Sequence, residues 1–204
     1  MGITPQQFER MKSRLAGSRR VPAPVAELES GDSLRARSHQ IILGIDPSLR
    51  GTGYGVIQLA KPQPQLLAQG TIRSRTGWPR SRCLVQIAQT LRDVLRRHCP
   101  TVCVIEGLFY AQNLQTALIM GEARGASLVA VAEAGLEIYE IAPRKVKQAI
   151  VGYGAAQKTA VAKMVQRLLR LSEPPGPDEA DALALALTYA HENQRYSLAA
   201  RKRI

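Results

Sequence analysis

A chain of 204 residues, 45% of them hydrophobic, has the length for one domain with a sizeable core. Its formal net charge of +12 points to a polyanionic partner, and residues 40–190 alone hold 17 Lys and Arg against 11 Asp and Glu. Three cysteines (Cys83, Cys99 and Cys103) exclude a disulfide framework or zinc knuckle, and no apolar run has the length of a membrane span, so a reducing, cytoplasmic setting is expected.

Residues 1–39 form a basic extension with no secretory core, and Gln6 stands where an acylation signal wants Ser or Thr. Thr4-Pro5 can cap a short helix to about Leu15, and Val21 to Ser38 has the composition of a linker. The folded part then opens on Ile41 to Gly55, IILGIDPSLRGTGYG. An apolar run ends in Asp46, a Pro47-Ser48 turn and a Gly51-Thr52-Gly53 bend follow, and Tyr54 to Ile57 returns: a β-hairpin. Leu66 to Arg73 reads as a third strand. Pro79 to His98 places apolar residues at Leu84, Ile87, Leu91, Val94 and Leu95, an amphipathic helix.

Val102 to Glu106 is a second short apolar strand with an acid at its end. Asn113 to Ala134 reads as a helix rich in small residues, including Gly121 and Gly125. Each Gly costs up to ~1 kcal/mol in a helix, so close helix–helix packing, such as a dimer seam, is the expected compensation. Leu136 to Ile141 is the fifth strand, and helices are expected over Ala155–Leu171 and Asp178–Glu192 before a basic tail from residue 193. The order β-β-β-α-β-α-β-α-α predicts an α/β fold, a five-stranded mixed sheet with helices on both faces.

Three of these stretches carry acids. Asp46 and Glu106 end strands, and Asp178 and Asp181 lie three apart at a helix start, hence on one face. A carboxylate desolvated at a strand end needs a cation or a donor. If the strands are neighbours and the helix begins beside them, the four acids converge, and an all-oxygen set suits Mg²⁺ or Mn²⁺. Individually each has a blander role, as turn former or as helix cap. Phe109 sits just beyond a strand-end acid, where a loop aromatic can stack on a base.

The pieces ILGIDPSLRGTGYGVI, VIEGLFYAQN, GEARG, APRKVKQAIVGYGAAQKTAV and PDEADALALAL, in this order, resemble the RuvC family of bacterial Holliday-junction resolvases over about residues 40–192. The resemblance implies a ribonuclease-H-like fold and paired symmetric nicks in four-way DNA junctions. It implies that Asp46, Glu106, Asp178 and Asp181 are metal-binding catalytic acids; the residue chemistry then suits two Mg²⁺ ions, with Mn²⁺ able to substitute, and makes Asp46, on the central strand with acids on either side, the candidate bridging ligand. It further implies that Phe109 inserts at the junction, that Lys147 and Lys158 lie near the scissile phosphate, and that Asn113 belongs to the DNA face. A homodimer and a RuvA–RuvB motor are the implied partners. No role is implied for Arg124 in GEARG.

Two readings from other classes remain. A junction-binding protein without catalysis would keep the basic face and Phe109 but tolerate loss of the acids. An ATP-binding protein of the sugar-kinase kind shares the opening hairpin but lacks the later phosphate and adenosine loops. Gly152 to Thr159 imitates a phosphate loop, yet Gln157 stands where Gly must let the backbone approach phosphate.

Overall fold

The computed structural model describes residues 40–107 and 113–194. The helix expected from Thr4, the linker to Ser38, the loop bearing Phe109 and the tail from residue 195 lie outside the described residues. Five strands form one sheet: β1 (Ile41–Asp46), β2 (Gly51–Gln58), β3 (Gln65–Arg73), β4 (Val102–Glu106) and β5 (Glu137–Ile141), in the order β3-β2-β1-β4-β5. β1 to β3 run antiparallel as consecutive neighbours, whereas β4 lies parallel to β1 and β5 parallel to β4. β1 is thus covered on both edges and both faces, which is why it is apolar up to its last residue. At the hairpin, Thr52 Oγ1 donates to the Ser48 carbonyl at 2.6 Å and accepts from the Ser48 N–H at 3.1 Å, fixing the turn just after Asp46.

Helices α1 (Arg80–His98) and α2 (Leu114–Glu133) cover one face. Their buried residues Ile87, Leu91, Ala123 and Ala130 cluster with Leu43, Ile45, Cys103 and Ile105 of the sheet. Helices α3 (Pro143–Val151), α4 (Lys158–Leu169) and α5 (Pro177–Gln194) cover the other. There Val146, Val161, Val165 and Leu183 pack with Ile42, Ile57, Val102 and Val104. This is the mixed five-stranded sheet with helices on both faces expected of a ribonuclease-H-like chain.

Three expectations need correcting. The segment after Ile141 contains a helix that the predicted order omits, α3, held by Pro143 in its first turn, by Val146 and Ile150 one turn apart, and by left-handed Gly152 (φ 99°) at its C-cap. Helix α4 starts at Lys158 rather than Ala155, because the chain is still leaving that glycine cap, and Gln157 is its extended N-cap. Helix α5 also runs past Glu192 to Gln194.

α5 lies closer to the sheet than any side chain would allow. A Cβ on Gly44 would stand 2.0 Å from the Ala182 carbonyl oxygen, and one on Gly53 would stand 2.0 Å from that of Asp178. Gly44 and Gly53, on the paired strands β1 and β2, therefore form the floor on which α5 rests. That contact brings the first turn of α5 to the Asp46 end of the sheet.

Candidate active site

Strand parity puts the first two acids together. Ile42 and Val102 are register partners, as are Ile45 and Ile105, so Asp46 and Glu106 extend adjacent parallel strands by the same step. Alternation sends both side chains to the face that Ile42, Val102 and Val104 share with α3, α4 and α5. The two carboxyls act directly on each other, Glu106 raising Asp46 and Asp46 lowering Glu106. Burial is the largest influence on both and raises both; for Asp46 the nearby Glu106 and Asp181 add to it, pushing its carboxyl up to about 8. The pair therefore holds a proton near neutral pH.

Asp181, on α5, completes a pocket of about 370 Å³ lined also by Asp46, Glu106, Met120, Lys147 and Lys158. Lys158 Nζ, at the N-terminus of α4, lies 2.8 Å from Asp181 Oδ2, and that hydrogen bond raises the ammonium further above its ordinary value. Its charge also acts against the upward shifts of Asp46 and Glu106, and Lys147 acts likewise on Glu106. The site is thus an acid cluster partly balanced by two lysines.

The other predicted residues stand differently. Asp178 is outside the pocket lining; its carboxylate lies over Gly51, where a Cβ would be 3.1 Å from Oδ2. Glu179 turns to β3 and accepts from Thr71 Oγ1 at 2.6 Å. Asn113 is the N-cap of α2, its Oδ1 accepting from the Thr116 N–H at 2.7 Å, and it does not line the pocket. Phe109 is outside the described residues. Among the described residues no three acids, histidines or cysteines stand close enough to cage an ion in their present positions.

Arg124 was given no role by sequence reasoning. It is 6% exposed, and its guanidinium donates to the Glu106 main-chain carbonyl and, at 2.6 Å, to Glu140 Oε2. An arginine inside an otherwise small and apolar helix was the available signal, because such a charge is buried only with partners. A larger hollow of about 450 Å³ opens at the other end of the sheet between α1 and α2. Its one acid, Glu133, is taken by Arg92 at 2.6 Å, so chemistry selects the smaller pocket.

Comparison with known proteins shows the family and the fold. The family model described as crossover junction endodeoxyribonuclease RuvC matches residues 42–189. The RuvC of Chromohalobacter salexigens is 43% identical over 161 residues, covering 79% of this chain and 86% of that protein. The RuvC of Ectopseudomonas mendocina is 45% identical over 166 residues, covering 80% and 95%. Among solved structures, Thermus thermophilus RuvC in complex with a Holliday junction substrate superposes with a TM-score of 0.74 at 34% identity, covering 81% of this chain and 100% of that one. The yeast mitochondrial Holliday junction resolvase Ydc2, with a TM-score of 0.50 at 14% identity over 72% of this chain and 78% of its own, shares the fold.

Proposed function

Because the chain belongs to the RuvC family of crossover junction endodeoxyribonucleases, we propose that Asp46, Glu106, Asp178 and Asp181 serve a metal-dependent hydrolysis of junction phosphodiesters. The protein is a Holliday junction resolvase, a DNA-binding endonuclease of recombination and repair. The observation that carries the reading is the Asp46–Glu106 pair, two half-buried carboxyls at the ends of adjacent parallel strands in one pocket, both raised by burial. An all-oxygen set under that electrostatic load fits Mg²⁺, or Mn²⁺ in its place. Two such ions, bound by the four acids, would supply Lewis acidity to the attacking water and the leaving 3′-oxygen.

The chain's own residues do the rest. With the proton of the pair released to solvent, Asp46 and Glu106 would hold the cations, and substrate phosphate would meet a neutralised site rather than bare carboxylates. Lys158, already cationic, exchanges its Asp181 partner for a phosphate oxygen and offsets charge on the trigonal-bipyramidal state. Lys147 lies beside Glu106 and holds the neighbouring phosphate. Phe109 stacks on an unpaired base and Asn113 adjoins the DNA. The product is a nick with a 5′-phosphate.

Symmetric nicks need two such sites about a two-fold axis. A face of α2 supports a homodimer: Leu114, Leu118 and Val129 are 76%, 57% and 53% exposed, and Gly121 and Gly125 open onto space along the same stripe. Among the described residues nothing lies within 4 Å of a Cβ at either glycine, and a second copy's helix would compensate their helix cost. The partner motor is the RuvA–RuvB complex and the compartment the cytoplasm; no helix of the described residues is long and apolar enough to cross a membrane.

A labelled synthetic four-way junction tests the reading. Mg²⁺ gives paired nicks at symmetric positions, while EDTA or Asp46→Asn abolishes them. Cleavage that survives either change sinks the metal mechanism, and a monomer at cleaving concentrations sinks the dimer.

A further inference from the structure

We infer that the turn between β3 and α1, with Arg73 and Arg75 as its free charges, is a second phosphate-binding surface for a DNA strand leaving the active site. The inference rests on the junction reading above and extends it beyond the acid pocket. The segment Arg73 to Arg82, RSRTGWPRSR, carries four arginines, and Arg50 of the β1–β2 turn joins them.

Topology places this turn at the catalytic end of the sheet. Asp46 pairs with Gly53 of β2, and Gly51 of β2 pairs with Arg73 of β3. Arg73 is therefore two strands from Asp46, roughly 10 Å across the sheet at just under 5 Å per strand. That spans roughly three nucleotide steps at 3.4 Å of rise per step. Beyond Arg73, Arg80 reaches Glu122 of α2 at 3.3 Å, two residues from Met120 in the pocket wall.

The turn is held in shape from within. Arg50 donates from Nη1 to the Arg75 carbonyl at 2.8 Å and from Nη2 to the Trp78 carbonyl at 3.2 Å. The Trp78 N–H closes the turn onto the Arg75 carbonyl at 3.2 Å, and the Ser74 N–H bonds the Arg50 carbonyl at 3.3 Å. Arg82 lies 4.0 Å over the Trp78 ring. Arg50, Arg80 and Arg82 thus have partners, whereas among the described residues neither Arg73 nor Arg75 is in an ion pair, and both are exposed. Of the acids on this side of the sheet, Glu122 is engaged with Arg80 and Glu179 with Thr71, while Asp178 lies over Gly51, the register partner of Arg73, and forms no ion pair with either arginine among the described residues. Two unpaired guanidiniums on a pinned turn suit bidentate contact with phosphate, at small entropic cost. Contacts of this kind fix a strand's path and carry no sequence information.

The test is the salt dependence of binding of a synthetic four-way junction, measured in EDTA so that no strand is cut. Full-length Arg73→Gln/Arg75→Gln is compared with wild type and with Arg97→Gln/Arg167→Gln, which removes equal charge at the far ends of α1 and α4. Each lost phosphate contact lowers the slope of log K against log salt by about 0.9, so the turn variant loses about 2 and the control far less. The loss is the same for junctions of different core sequence. A turn variant whose slope matches wild type, or falls no more than the control's, overturns the inference. Failure of the wild type itself to prefer junction over duplex would instead strike the functional reading.

Discussion

Arg124 of α2 holds the main-chain carbonyl of Glu106 with one end of its fork and Glu140 Oε2, at 2.6 Å, with the other. The helix that bears the exposed apolar stripe is thereby tied to the strand that ends in Glu106, one of the acids proposed for catalysis. Breaking a buried pair from one side costs about 3–5 kcal/mol, here by taking the guanidinium from Glu140 and the donor from the Glu106 carbonyl, whereas removing both members is far milder. Arg124→Met is expected to lose about that much in chemical denaturation, and Arg124→Met/Glu140→Leu to recover most of it. Equal losses in the single and double variants would show that the pair is not the source.

The shared proton sets a pH dependence. The folded value of Asp46 is raised to about 8 from 3.8, so its contribution is fully present below the unfolded value and is lost as pH rises toward 8. In EDTA the wild type should be less stable at pH 8 than at pH 5 by roughly 3–5 kcal/mol from this source. Asp46→Asn removes that loss while abolishing cleavage, and Mg²⁺ restores stability to the wild type alone. Thermal melts at the two pH values decide it: parallel curves for wild type and variant would refute the assignment.

Lys158 separates catalysis from stability. Its side chain is 70% exposed, and an exposed ion pair contributes at most about 1 kcal/mol, so Lys158→Ala should melt close to wild type. Removing a cation from the charge that builds in the transition state costs on the order of 10²-fold in turnover. Asp181 holds the ammonium pKa above its ordinary value, so this loss should be constant across neutral pH. Single-turnover cleavage beside a melt makes the comparison, and a variant that cuts at the wild-type rate removes Lys158 from the mechanism.

Glycines in the two settings should respond oppositely to alanine. At Gly53 the new Cβ would meet the Asp178 carbonyl at 2.0 Å, so Gly53→Ala must lift α5 from β2 and lose both stability and cleavage. At Gly121 and Gly125 nothing among the described residues stands within 4 Å of the new Cβ, and each alanine should stabilise the protomer by about 0.5–1 kcal/mol. The same methyl groups would hold two α2 helices apart, so Gly121→Ala/Gly125→Ala should weaken self-association. Sedimentation and denaturation on one set of variants read both effects.

Much of the architecture was legible because its signals are local. The apolar runs ending in Asp46 and Glu106, the Gly-bearing hairpin and the spacing of Ile87, Leu91 and Val94 each identify an element within a few residues of itself. Helix α3 escaped because only Val146 and Ile150 of its nine residues are buried, too few to display a period. Its Pro143 and Gly152 bracket it correctly, but they also read as loop punctuation.

The amino-acid order by itself determined which residues could do the chemistry, since acid type and strand-end position are properties of short segments. Only the tertiary structure decided which of them meet. The parallel register of β1 with β4 brings Asp46 against Glu106, Gly44 and Gly53 let α5 carry Asp181 in, and Asp178 is left over Gly51. Register and close approach come from packing between segments far apart in the chain. The burial that loads the carboxyl pair with a proton, and so readies it for a cation, exists only once both faces of the sheet are covered.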